Sequence, residues 1–432
     1  MRSLKKPLKW TFIILGSLVV VILVVNACFV WTTGSRLERK LAEIRAAGDP
    51  TSLADFRPKP VAPEQNAVTY LRRAQEDLKA IEHELTPVVK ANDDPRSRKR
   101  LAAIRSAMEA YPEVIPLLEK AANCPEYSVA EPFGPAGTGD PNAALETVMS
   151  RSREYRSAAR LLGSYRCSVL LSEGQYDEAA KSAIALMKLT RHFDNEPSLV
   201  AFLVAVACRG YAFEPLNEAL QSRAVSEEVH QALEEELARH DLRRAFQQNL
   251  KTERAFGLEQ FLTFPGARTW FARAFYNRYK LNYLGLIEWY LTDTEKAASS
   301  GPGGPATPPE PTDIFSSLLV PALEATRKAA TRTESMVRAV RVLNALERRG
   351  DPDALPAADL SDLGLPKEAT LDAFNGKPLI VKKVPGGWLI YSVGPDLKDD
   401  DGDLGDRETE GLDRGFGPPE KHSKQTDSET ED

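Results

Sequence analysis

Residues 159–189 read ARLLGSYRCSVLLSEGQYDEAAKSAIALMKL. Leu161, Leu162, Tyr165, Val169 and Leu170 recur at helical spacing and form one apolar stripe. Gly174, Gln175 and Tyr176 then break the pattern as a tight turn. Past the turn, Ala179, Ala180, Ala183, Ile184 and Met187 make a facing stripe, and Asp177 is placed to cap the second helix. Small side chains on that stripe let two antiparallel helices approach closely. The stretch predicts a helical hairpin, and it sets the texture of most of the chain.

Outward from it, residues 66–84, 95–122 and 142–172 carry apolar positions at i, i+3 and i+4 with few breakers. A Gly- and Pro-rich stretch, 126–140, separates two of these helices. Residues 198–220 predict a long apolar helix, and Ser226 caps an amphipathic one over 227–239. With Gly174, Tyr176 and Ala179 at matching places, the 159–189 hairpin resembles one tetratricopeptide-type unit. No 34-residue period follows, so the expectation is an irregular array of helical hairpins. From Phe256 to Tyr290 there are eleven aromatic residues, among them Phe261, Phe264, Trp270, Phe271, Phe275, Tyr276, Tyr279, Tyr283, Trp289 and Tyr290. They suit either packing between helices or the lining of a groove for a peptide or glycan.

The other decisive segment is N-terminal. Residues 10–31 read WTFIILGSLVVVILVVNACFVW, 22 residues without a charge. At 1.5 Å per residue a helix of that length spans about 33 Å, the thickness of a bilayer's hydrocarbon core. Trp10 and Trp31 sit where interfacial aromatics belong. Arg2, Lys5, Lys6 and Lys9 precede the run, and Arg36, Arg39, Lys40 and Arg45 follow it. The flanks tie by count; the denser N-terminal charges favour N-terminus in, as an uncleaved signal-anchor. Cleavage as a signal peptide, or lipidation at Cys28 after Val25-Asn26-Ala27, are the competing fates. Residues 35–47 then predict a helix leaving the membrane, broken by Gly48, Asp49 and Pro50.

Several function classes lose support. The formal net charge is −6, which disfavours phosphate-backbone binding, so no nucleic-acid partner is expected. Four cysteines show no CxxC spacing, and Cys167 and Cys208 sit in apolar helical text as buried thiols. There is no HExxH, GxSxG, Walker or GxGxxG text. His83, His192, His230, His240 and His422 are scattered beside charged residues and suit the surface better than a site. No catalytic residue and no organic cofactor site is assigned, and an enzyme is the less favoured outcome.

The texture changes after Pro366. Asp372 to Leu379 (DAFNGKPL) leads into 380–384, Pro385-Gly386-Gly387 turns, and 388–393 returns, a β-hairpin. Asp396 to Asp406 then holds six aspartates in eleven residues. Calcium takes six to eight oxygen ligands, which such a loop can supply. An EF-hand is rejected, because Leu397 falls where its first aspartate must be.

The order DxFxGKPL, strand, turn, YSVGPD and Asp/Gly-rich loop resembles the C-terminal segment of the major pseudopilin of type II secretion systems, over residues 372–406. The resemblance implies a Ca²⁺-binding loop. Asp396 matches its first ligand and Asp403 a second; Asp406, one residue late, or Asp401 would be a third, with carbonyls near Val393 completing the shell. The helical body also resembles a group of membrane-anchored bacterial proteins that share the 198–220 helix, Glu253-Arg254-Ala255 and this C-terminal module. No activity carries over from that group.

The expected organisation is a mainly α chain. It has a cytoplasmic N-terminus (1–9), a transmembrane helix (10–31), an extracytoplasmic helical domain (35–298) and a Pro/Gly linker (299–312) with five prolines and three glycines. A long helix (313–350), a β-hairpin module with acidic loop (366–416) and a disordered tail (417–432) complete it. The expected role is a scaffold or interaction protein at the inner or cytoplasmic membrane, single-pass, envelope- or secretion-associated, with a protein partner. The alternative is a membrane-bound glycan- or peptide-processing enzyme with its site in residues 256–290.

Overall fold

The structure, a computed structural model, describes residues 5–56, 60–91, 94, 96–133, 141–261, 269–300, 307–350, 355–405 and 412–419. Helix α1 (Lys5–Ala46) runs unbroken through the apolar segment and the 35–47 helix expected after it. It is followed by α2 (Ala67–Ala91), α3 (Arg98–Ala110), α4 (Val114–Asn123), α5 (Pro141–Ala159) and α6 (Cys167–Ser172). Then come α7 (Tyr176–Phe193), α8 (Leu199–Gln221), α9 (Glu227–Leu237), α10 (Leu242–Gln260), α11 (Trp270–Ser300) and α12 (Ile314–Arg349). The chain closes with strands β1 (Ile380–Val384), β2 (Gly387–Ser392) and β3 (Arg414–Phe416), one antiparallel sheet in that order. The chain is thus mainly helical with a small sheet, as expected.

The single helix expected over 95–122 is two, α3 and α4. Pro112 disfavours helical backbone at Tyr111, which sits at φ −125° and ends α3. The 159–189 hairpin forms, with its two stripes buried apart from the half-buried Leu170. Its first arm is α5 and α6 joined by a π-helical turn over Arg160–Arg166. Within that turn the Leu162 carbonyl accepts from Ser182 Oγ at 2.9 Å and Cys167 Sγ at 3.1 Å, tying the first arm to α7. Gly163 sits at the crossing. A Cβ there would lie 2.5 Å from Leu186 Cδ2 and 2.7 Å from the Tyr211 carbonyl, so only glycine lets the arm meet α7 and α8 together.

Two expected caps differ. Gln175, not Asp177, is the N-cap residue of α7, and the Asp177 carboxylate accepts from the Ser226 backbone N–H at 2.8 Å, tying α7 to the start of α9. Ser226 holds the N-cap position of α9 but makes no side-chain capping bond.

Two hydrophobic cores lie side by side. The larger joins α2 to α9, the C-terminal half of α12 and the sheet. The second joins Leu37 and Ile44 of α1, the first turns of α8, and α10, α11 and the N-terminal half of α12. Helices α8 and α12 run through both cores. By length and composition α8 could also cross a membrane, but most of it is buried inside the bundle. Asp313 caps α12 by accepting from Phe315 N and Ser316 N at 3.0 Å, and Gly350 ends it in the left-handed conformation at φ 70°.

The hairpin pairs Ile380 with Tyr391 and Val384 with Gly387 across Gly386, which takes φ 96°. Strand β3 is an addition to the expected hairpin; it pairs Ile390 with Phe416 and Ser392 with Arg414. Phe416 packs edge-on against Phe213 of α8, ring centres 6.0 Å apart, so the sheet rests on the bundle.

Candidate functional site

The aspartate loop lies along the sheet. Asp396 Oδ1 accepts from Lys398 N at 3.2 Å, and Asp403 Oδ1 accepts from Gly405 N at 3.0 Å. Asp399 Oδ1 accepts from Asp401 N at 2.9 Å and from the Tyr391 hydroxyl at 3.0 Å. The bonds to backbone two residues on are local turns that aspartate favours. The Asp401 carboxylate pairs with Lys382, which holds it below the usual carboxylate range. Asp396, Asp401 and Asp403 therefore hold separate partners, and Asp406 lies outside the described residues. Among the described residues no group of three or more His, Cys, Asp or Glu is arranged to hold a metal.

The loop does organise around a residue the sequence reading passed over. Asp413, just before β3, is fully buried, and its Oδ2 accepts from Gly402 N at 2.8 Å. Its Oδ1 and the Oδ2 of Asp400 are both buried without a hydrogen-bond partner. Burial pushes the Asp413 carboxyl up; Asp399 and Asp400 add to this, and the backbone bonds from Gly402 and Asp400 oppose it. Two spare carboxylate oxygens at one loop fit the chemistry of a hard cation better than the solvated aspartates do. Sequence spacing could not reveal this, because Asp413 joins the loop only through strand pairing.

The aromatic stretch divides into two populations. Phe261, Tyr283 and Tyr290 are buried, with Phe261 and Tyr279 each 5.2 Å from the ring of Phe315. Tyr283 donates its hydroxyl to the Glu253 carbonyl, across the gap left by Gly257. Trp270, Phe271 and Phe275 instead face outward, and Phe264 lies outside the described residues. Helix α11 runs parallel to α1. Asn26 Nδ2 donates to the Trp270 carbonyl at 3.5 Å, and Phe29 meets Phe275 edge-on at 6.1 Å. Asn277 Nδ2 donates to Thr33 Oγ1 at 3.4 Å, and Lys40 pairs with Glu288.

The bundle also buries charge. Arg209 of α8 is fully enclosed; it donates to Asp194, and its Nε lies 3.3 Å from His240 Nδ1. His240 Nε2 lies 3.3 Å from Glu236, which is paired with Arg191 at 2.9 Å. Glu196 is buried beside Arg151 and accepts from the hydroxyls of Tyr127 at 2.6 Å and Tyr155 at 3.2 Å. His192, His230 and His240 are thus buried, against the surface placement expected of them; only His83 is exposed, and His422 lies outside the described residues. Their partners come from elsewhere in the fold: His230 Nδ1 lies 2.7 Å from Asn344 Oδ1 of α12, and His240 meets Arg209 of α8.

Cys167 and Cys208 are free and buried as expected, and burial pushes both thiols up to about 12, which leaves no thiolate for nucleophilic chemistry. A cleft of ≈ 420 Å³ lined by Asp55, Phe56, Glu126, Tyr127 and Asn195 opens near Glu196, whose carboxylate is already paired. No family model, curated protein or solved structure matches this chain.

Proposed function

We propose that the chain is a membrane-anchored, extracytoplasmic helical scaffold that presents its bundle and C-terminal sheet to a protein partner. The observation that carries this is the division of α1. From Trp10 to Val25 every residue is exposed, with no other described element against the helix, whereas Thr33, Leu37 and Ile44 are packed into the protein. Sixteen uncharged, mostly apolar helical residues without protein cover are stable in lipid and strongly unfavourable in water. The continuity of α1 favours an uncleaved anchor, and the N-terminal charges favour N-terminus in.

Reporter fusions after Ser35 and after Gly350 test this reading. Both should report an extracytoplasmic location at the inner or cytoplasmic membrane. A cytoplasmic signal from either, or a mature N-terminus at Cys28, overturns it.

The sheet and its loop are proposed as a cap on the bundle, closed by Ca²⁺ in the manner of the pseudopilin segment they resemble. The buried, unpartnered oxygens of Asp400 and Asp413 support that, and they move the ligand set from Asp396, Asp403 and Asp406 or Asp401 towards the inner side of the loop. The competing enzyme reading for residues 256–290 needs a pocket with convergent polar groups. The division of those aromatics into core-packed and outward-facing sets favours the scaffold.

A further inference from the structure

We infer that the first turns of α11 are a second membrane contact, with Trp270, Phe271 and Phe275 seated in the leaflet from which α1 emerges and the neighbouring cations on lipid phosphates. The inference rests on the reading of α1 as a membrane span. Its geometry comes from the parallel pairing of α1 and α11. Trp270 is level with Asn26, five residues inside Trp31. At 1.5 Å per residue that is about 7 Å below the outer end of the apolar run. A bilayer that covers residues 10–31 therefore also reaches Trp270, and Phe275 is level with Phe29.

The side chains at that depth suit it. Trp270, Phe271 and Phe275 are 40%, 61% and 55% exposed, although most other aromatics of α11 are packed. Phe271, Phe275 and Arg278 fall at i, i+4 and i+7, on one face of the helix. From Trp270 to Lys280 the chain carries Arg273, Arg278 and Lys280 and no acidic residue; Lys280 is half-buried near Glu38 of α1, which leaves Arg273 and Arg278 as the exposed cations beside the rings. Aromatic rings beside cations match the membrane interface, where rings sit at headgroup depth and cations meet phosphate. A second copy of the chain on this face would bring the same arginines together, which like-charge repulsion opposes.

The test uses the full chain in vesicles of phosphatidylcholine and phosphatidylglycerol. In a Cys28→Ser background the remaining cysteines are buried. Nitroxide labels are placed one at a time through Phe271→Cys, Phe275→Cys, Val20→Cys in the apolar run and Lys181→Cys on the exposed bundle surface. Accessibility to oxygen, which concentrates in lipid, is compared with accessibility to a water-soluble nickel chelate. The expected result is an oxygen-to-nickel ratio at 271 and 275 several-fold above that at 181 and approaching that at 20. A ratio at 271 and 275 like that at 181, with 20 still oxygen-rich, overturns the inference and leaves the span standing. A nickel-accessible label at 20 removes the span, and this inference with it. Labels at 271 and 275 immobilised and shielded from both reagents overturn the lipid contact in favour of a second copy.

Discussion

The side-chain amide of Gln221 bonds both backbone groups of Trp388: its Oε1 accepts from Trp388 N at 2.9 Å, and its Nε2 donates to Trp388 O at 3.3 Å. The same Nε2 donates to the Gly417 carbonyl at 2.9 Å, and Asn217, one turn earlier, donates to that carbonyl at 3.0 Å. Two residues of α8 thus serve the sheet as a neighbouring strand would. Gln221→Leu keeps the volume and leaves a buried N–H unpaired, which costs about 1–3 kcal/mol. The expected outcome is faster hydrogen exchange at Trp388 and Gly387 with the α7–α8 amides unchanged. Unaltered exchange in the sheet would show that apolar packing alone docks it.

Gly163 and Gly210 make a matched pair of substitutions. Alanine at Gly163 meets Leu186 and Tyr211 at impossible distances, whereas at Gly210 it meets nothing within 4 Å. Gly163→Ala should lower unfolding stability by ~1–3 kcal/mol through overpacking. Gly210→Ala should raise it by up to ~1 kcal/mol, since alanine restricts the unfolded chain and favours helix. Denaturant unfolding of both variants decides; equal effects would mean that the three-helix contact at Gly163 is loose.

Acid should weaken the fold through His192. Burial pushes its imidazole down to about 4, and the charge of Arg191 acts in the same direction. In the unfolded chain it titrates near ~6.5, so between those values the unfolded state binds the extra proton. The stability from keeping it neutral is present above ~6.5 and is lost as pH falls towards 4. Between pH 7 and pH 5 the protein should lose ~2 kcal/mol more than His192→Gln does. An identical pH dependence in the two proteins would show that the ring takes up its proton while folded.

Calcium should stabilise the chain and magnesium should do so less, because magnesium demands stricter octahedral geometry. Binding to the folded state alone adds about 2.7 kcal/mol at a hundredfold excess over Kd. Calorimetry with calcium, magnesium and chelator reads this directly. Asp413→Asn and Asp400→Asn should abolish the calcium shift, while Asp403→Ala should leave most of it. Loss only in Asp396→Ala and Asp403→Ala would restore the ligand set implied by the pseudopilin resemblance. No shift in the unsubstituted protein leaves an acidic turn held by Lys382.

What the sequence by itself determined are the features whose cause is local. The uncharged run before Arg36, the paired stripes around Gly174 and the turn at Gly386 depend on neighbours a few residues apart, so periodicity and turn chemistry reveal them. Tertiary structure alone decided which charges are inside. Arg209, in text that reads only as an apolar helix, meets Asp194 and His240 inside the bundle. Asp413 joins the loop only because β3 pairs with β2, and Asn26 meets Trp270 across 244 residues. Burial is set by elements distant in sequence, and no window along the chain contains both partners of such a contact.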